Sequence, residues 1–174
     1  RTFAVVGQSM GVGIALQVAL DAPKRVTHLV AIAGAARFDV NPALLNALRD
    51  GDDTVYTTLT RLSYTRDTPA EQLAQYESHL RKTSPEVLRA AFHACSTFDV
   101  SSRLHEIQIP AGVLCDSRDP MIALQRVVDL NVGIRGSEIN VILGVGHMIH
   151  IEAPEVVEEV VADILEKQSS NFEQ

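Results

Sequence analysis

The first 32 residues constrain the architecture more than any other part of the chain. Residues 3–6 (Phe-Ala-Val-Val) form an aromatic and β-branched run closed by Gly7. Residues 10–22 carry Ile14, Leu16, Val18, Ala19 and Leu20 ahead of the helix-stopping Pro23, and residues 26–32 return to a strand-like run. Strand, helix and strand within about 30 residues make a βαβ unit, whose strands run parallel in one sheet. A short unbroken apolar run suits a strand buried on both faces, so helices are expected on both sides of the sheet.

The same rhythm returns towards the end. Strands are expected at 111–115 and 138–143, with a helix at about 121–130 and a last helix from Pro154. In that helix Val156, Val157, Val160, Val161, Ile164 and Leu165 form one apolar stripe opposite Glu155, Glu158, Glu159 and Asp163. Residues 168–174 read as a frayed polar tail. Between the two α/β parts, residues 38–98 hold no strand-like run. Asn41-Pro42, Thr68-Pro69 and Ser84-Pro85 each read as an N-cap followed by proline at the first helical position. The fold class is therefore α/β, a predominantly parallel sheet with flanking helices, divided into a core segment 1–37, a helical insert 38–98 and a second core segment 99–174.

Of the 174 residues 46% are hydrophobic and 21% charged, enough for one sizeable core, which excludes disorder, collagen and coiled coil. Fifteen basic against 22 acidic side chains give a net charge of -7, and no basic block overrides it, so nucleic acid is excluded as a partner. A charged residue interrupts every apolar run before the length of a membrane span, so no membrane partner is expected. Cys95 and Cys115 are too few for a disulfide framework or a zinc cluster and read as reduced, buried thiols. A cytoplasmic location is the expectation; the sequence begins at Arg1 rather than Met, so the lack of a leader says nothing about a signal peptide.

The chemistry is concentrated at strand ends. Gly7-Gln8-Ser9-Met10-Gly11 lies where the first strand turns into the first helix, and small flanking residues there permit the strained turn that exposes a serine hydroxyl. The helix beginning at Met10 aims its backbone N–H groups at the same spot. The structural alternative is a glycine-softened connection with Ser9 as its N-cap. A serine nucleophile needs a base and an orienting acid. His147, in Gly144-Val145-Gly146-His147, follows the last strand, and Asp119, in Cys115-Asp116-Ser117-Arg118-Asp119-Pro120, follows the strand before it. All three positions fall on the carboxyl edge of a parallel sheet.

Together with Ile109-Pro110 leading into a strand, and Gly146-His147 followed by Glu152-x-Pro154, these motifs resemble the α/β-hydrolase fold family, in its subgroup with a helical cap after the sixth strand. The resemblance covers essentially the whole chain and corresponds to that family's domain from the fifth strand onward. The family's first four strands have no counterpart in this sequence. The resemblance implies that Ser9 is the nucleophile, Asp119 the acid, His147 the base and the Met10 N–H one oxyanion donor. It implies no cofactor and a small-molecule ester, lactone or related acyl substrate. Serine rather than aspartate at position 9 argues against the haloalkane dehalogenase and epoxide hydrolase branches. Carbon–carbon bond hydrolysis, acyl transfer, and a ligand receptor on the same scaffold remain alternatives.

Three features depart from the family's pattern. The second oxyanion donor comes from a loop after the family's third strand, often marked His-Gly, which this sequence lacks. Asp116 stands where relatives often have glycine; Asp119 is preferred as the acid by spacing, and Asp116 is read as a surface residue. Gly11-Val12 replaces the second glycine many relatives carry. Met148 reads equally as a substrate-contacting wall or as packing, and His150 as a site-lining or a loop residue. His28, His79, His93 and His105 lack metal-ligand spacing and read as surface or partly buried groups. Asp99, in a segment that resembles the family's return from cap to core, reads as structural. In the family's sheet order residues 3–6 would pair with an absent strand, so the chain is expected to need the missing amino-terminal half or to associate, a homo-oligomer included.

Overall fold

In a computed structural model that describes residues 1–167, β1 (Phe3–Gln8), β2 (Val26–Ile32), β3 (Ala111–Asp116) and β4 (Glu138–Ile142) form one parallel sheet in the order β1-β2-β3-β4. The expected tail at 168–174 lies outside the described residues. Successive side chains of a strand point to opposite faces, and in β2 and β3 both faces are buried. Leu29 and Ala31 join one core with Leu16 of α1 (Met10–Asp21) and Leu130 of α6 (Leu124–Gly133). Val30, Ile32 and Leu114 join another with Val160 and Ile164 of α8 (Pro154–Leu165). This two-sided burial is why both strands read as continuous apolar runs. Leu16, Leu114 and Leu130 are 0% exposed, each contributing roughly 1.5–3 kcal/mol. Gly112 lets α8 close on the sheet, since a Cβ there would lie 2.7 Å from Ile164 Cγ1.

β1 departs from the burial on both faces that its apolar run suggests and agrees with the open edge that the family's sheet order implies for residues 3–6. It is an edge strand that pairs only with β2 among the described residues, leaving Phe3 37% and Val6 49% exposed. An apolar run does not distinguish a central strand from an edge; the number of neighbours does.

The stretch between β2 and β3 contains α2 (Pro42–Asp50), α3 (Thr54–Ser63), α4 (Ala70–Leu80) and α5 (Pro85–Thr97). Ala43 N–H donates to Asn41 Oδ1 and Val87 N–H to Ser84 Oγ, two of the three caps the sequence signals. Thr68 is not a cap: α4 starts at Ala70, and the Thr68 hydroxyl donates to Glu152 instead. Leu48, Val55, Leu59 and Leu88 give these helices a small core of their own. The chain leaves and returns at adjoining points, with an antiparallel bridge between Arg37 and Asp99 and a bond from Val100 N–H to Ala36 O at 3.0 Å. A 3-10 turn (Ser101–Glu106) and the short α7 (Ile149–Glu152) complete the elements. Among the described residues no helix is long and apolar enough to cross a membrane.

The outer edge of β1 is unpaired among the described residues, and Val6 on that strand and Ile14 on α1, the latter 63% exposed, are left open. Such an edge is a template for pairing with another chain, and lysine on it opposes that pairing. The 174-residue chain expressed alone is expected to associate, and Val6→Lys to shift it towards monomer in sedimentation velocity. A wild-type chain that stays monomeric and melts cooperatively contradicts this.

Candidate active site

The turn from β1 to α1 places Ser9 at φ 53° and ψ -122°. A non-glycine residue held in such a region carries about 1–3 kcal/mol of strain, which its surroundings must enforce. Here Ser9 N–H donates to Ile32 O at 2.8 Å and Val12 N–H donates to Ser9 O at 2.9 Å. Gly7 is a steric necessity, because a Cβ there would lie 2.3 Å from Gly11 O. Gly11 is not: an added Cβ meets nothing within 4 Å. The expectation that both flanking positions must be small therefore narrows to the first. Met10 opens α1, so its N–H has no acceptor within the helix and stands next to the serine.

Asp119 lies on the loop after β3. Its Oδ1 accepts from Met121 N–H at 2.7 Å and from Ile122 N–H at 3.1 Å, which fixes the carboxylate and leaves Oδ2 to face His147 Nδ1 at 2.7 Å. His147, 3% exposed, follows β4, and its Nε2 is 2.7 Å from Ser9 Oγ. Three strand ends thus bring Ser9, His147 and Asp119 into one hydrogen-bonded line. The tautomer that satisfies both neighbours has Nδ1–H donating to Asp119 and Nε2 accepting from the serine hydroxyl. In that state the hydroxyl proton has an acceptor waiting, and the imidazolium formed by its transfer meets a carboxylate.

The reading of Asp116 as a surface residue is corrected: it is 2% exposed. Arg118 N–H donates to its Oδ1 and Val145 N–H to its Oδ2, both at 2.6 Å. Gln8, the second residue of the first motif, is assigned no role by that motif, yet its Nε2 donates to His147 O at 3.1 Å. A polar residue ending an otherwise apolar strand is the one sequence signal Gln8 and Asp116 share. Met148 lines the cavity above Ser9. His150 is exposed and outside that lining; partial desolvation, and then the neighbouring His147, lower its pKa. His28 bonds Thr27 Oγ1 and Lys167 O, and Asp99 accepts from Ser101 N–H. Cys95 and Cys115 are free and buried, and burial, helped by Asp116 and Asp119, pushes the Cys115 thiol up to about 11. Among the described residues no group of three or more His, Cys, Asp or Glu could hold a metal ion.

A cavity of about 440 Å³ opens over Ser9, a size common for small-molecule sites. Leu44, Leu59, Leu62, Leu80 and Phe92 of the four helices face Met121 across it. Among the described residues no lysine or arginine lines it, and its one carboxylate, Asp39, is held by Arg126 at 2.7 and 3.2 Å, whose hydrogen bonds lower the Asp39 pKa.

The chain belongs to the alpha/beta hydrolase family, whose model matches residues 1–160. No curated protein sequence is significantly similar to it. The fold is that of an enol-lactonase from Burkholderia xenovorans LB400 (TM-score 0.87, 20% identity, covering 95% of this chain and 66% of that one). It is also that of an esterase from Exiguobacterium antarcticum (0.84, 18%, 93% and 66%) and a hydrolase from Pseudomonas aeruginosa PA01 (0.82, 22%, 96% and 66%). The chain thus spans 66% of the length of each of these structures.

The steric contrast within the turn predicts unequal glycines. Gly7→Ala is expected to lower stability by about 2 kcal/mol or more, because backbone must move. Gly11→Ala is expected to change it by at most about 1 kcal/mol. Urea unfolding of the two variants measures both.

Proposed function

We propose that this chain hydrolyses small carboxylic esters or lactones, with Ser9 as nucleophile, His147 as base and Asp119 as the orienting acid. The observation that carries this reading is the line of two 2.7 Å hydrogen bonds from Ser9 Oγ through the imidazole to Asp119, set beneath an apolar cavity. As Ser9 Oγ attacks the substrate carbonyl, His147 Nε2 takes the hydroxyl proton, and the oxyanion develops beside the Met10 N–H. His147 then protonates the departing alkoxide, leaving an acyl-serine. A water molecule, deprotonated by the same nitrogen, attacks that ester and releases the acid, restoring Ser9. An esterase and an enol-lactonase among the solved structures of this fold accord with the reading.

In this reading helices α2 to α5 act as a cap that shapes the acyl site, and Met148 contacts substrate, whereas His150 does not. Among the described residues the lining lacks a cation to meet a substrate carboxylate, so the group bound there is uncharged. A buried carboxylate without a partner is heavily disfavoured.

A fluorophosphonate probe, intact mass and peptide mapping test the nucleophile. Labelling is expected at Ser9 alone, absent in Ser9→Ala and slowed about a thousandfold or more in His147→Ala. Labelling that persists in Ser9→Ala, or no labelling of the wild type, sinks the reading. Substrate charge is tested separately: p-nitrophenyl hexanoate should exceed the matched ester ending in a carboxylate by on the order of 100-fold in kcat/KM.

A further inference from the structure

Four consecutive residues around the imidazole each give one backbone group to a different element. Val145 N–H donates to Asp116 Oδ2 at the end of β3, and Gly146 N–H donates to Glu152 Oε2 on α7 at 2.8 Å. The His147 carbonyl accepts from Gln8 on β1, and Met148 N–H donates to Ser63 O on α3 at 3.0 Å. Two of these four anchors are carboxylates, and neither touches the imidazole.

Their surroundings differ. Both oxygens of Asp116 receive backbone N–H groups, from Arg118 and Val145. Glu152 receives one N–H, on Oε2, while its Oε1 accepts from the Thr68 hydroxyl at 2.8 Å and the Thr65 hydroxyl at 3.3 Å. Both threonines lie between α3 and α4, so Glu152 spans from the histidine loop to the helices over the cavity. The join is close: a Cβ on Gly146 would lie 2.6 Å from Glu152 Oε2 and 2.9 Å from Thr65 N.

We infer that Asp116 and Glu152 are positioning residues for His147, acting through the backbone N–H groups of residues 145 and 146, and that Glu152 couples this loop to the helical segment through Thr65 and Thr68. The inference rests on His147 being the base. A base displaced by about 1 Å can lose about 100-fold in rate without any change in its own chemistry. Neither carboxylate is among the residues that line the cavity, so their loss falls on kcat rather than KM.

The two sites answer differently to an amide. A glutamine at 152 keeps an oxygen for Gly146 N–H, and its NH2 group can donate to threonine hydroxyls that reverse their role. An asparagine at 116 must set its NH2 group against a backbone N–H, and one of the two bonds is lost. Steady-state ester hydrolysis and amide hydrogen exchange of the full chain test this in Glu152→Ala, Glu152→Gln and Asp116→Asn. Glu152→Ala and Asp116→Asn are expected to lower kcat about 10- to 100-fold, with KM within about twofold, while Glu152→Gln recovers most of the loss. Exchange should quicken at Gly146 in Glu152→Ala and at Val145 or Arg118 in Asp116→Asn. Unchanged kcat and exchange, or losses that follow only the unfolded fraction, overturn the inference. If an alanine variant does not fold, the contrast between the two amide variants decides. If the wild type neither hydrolyses esters nor takes the probe, the hydrolase reading fails by itself. Amide exchange and the His147 Nδ1–H proton resonance then still decide whether the carboxylates hold the ring.

Discussion

Ser9 is held where an L residue does not rest by choice, at φ 53°, and the rest of the molecule is arranged around that fact. Its N–H is tied to β2 through Ile32 O, while α1 is anchored directly after it by Val12, Ala15 and Leu16, each at most 1% exposed. Strand and helix are both fixed by core packing, and the one residue between them must absorb the change of direction. A strain of about 1–3 kcal/mol is small beside the burial of even these few side chains. The turn lifts the hydroxyl above the sheet's carboxyl edge, where His147 meets it.

Parallel order then does the assembling. With every strand running the same way, the ends of β1, β3 and β4 lie along one edge, so residues up to 138 positions apart in sequence meet there. β2 adds no side chain to the line but makes room for it: Gly34, just beyond its end, would place a Cβ 2.4 Å from Val12 Cγ2 and 2.8 Å from Ser9 O. The helices between β2 and β3 contribute leucines and Phe92 over this edge, and charge interactions strengthen as water is displaced from such a setting.

What the sequence disclosed follows from the range over which each signal acts. The βαβ unit and the caps at Asn41 and Ser84 are local, written in periodicity and in a side chain two or three residues from its target. Ser9, Asp119 and His147 were legible because strand ends place them, and the structure brings all three together. Thr68 looks like a third cap, but its hydroxyl is claimed by Glu152, 84 residues away. α3 carries no proline signal; Asp52 Oδ1 accepts from Thr54 N–H at its start, a pairing that reads equally as a turn. The exposure of β1 is legible only through the sheet order of the family it resembles, in which residues 3–6 lack a partner strand, because an apolar run by itself says nothing of how many strands flank it.

Asp116 and Asp119 show why two carboxylates on one loop are not interchangeable. Asp119 N–H lies 3.3 Å from Asp116 O, so the loop turns back on itself between the two carboxylates. Asp116, the last residue of β3, has both oxygens filled by main-chain donors and nothing left to offer an imidazole. Asp119 has one oxygen filled by Met121 and Ile122 and one free, and the free one meets His147. Spacing alone selects Asp119, but the accounting of lone pairs gives the physical reason, and it also assigns Asp116 a purpose. Because Asp116 binds Arg118 N–H on its own loop and Val145 N–H on the next, it ties together the two loops that carry Asp119 and His147. The 2.7 Å contact between Asp119 and His147 therefore depends on a carboxylate that takes no part in it.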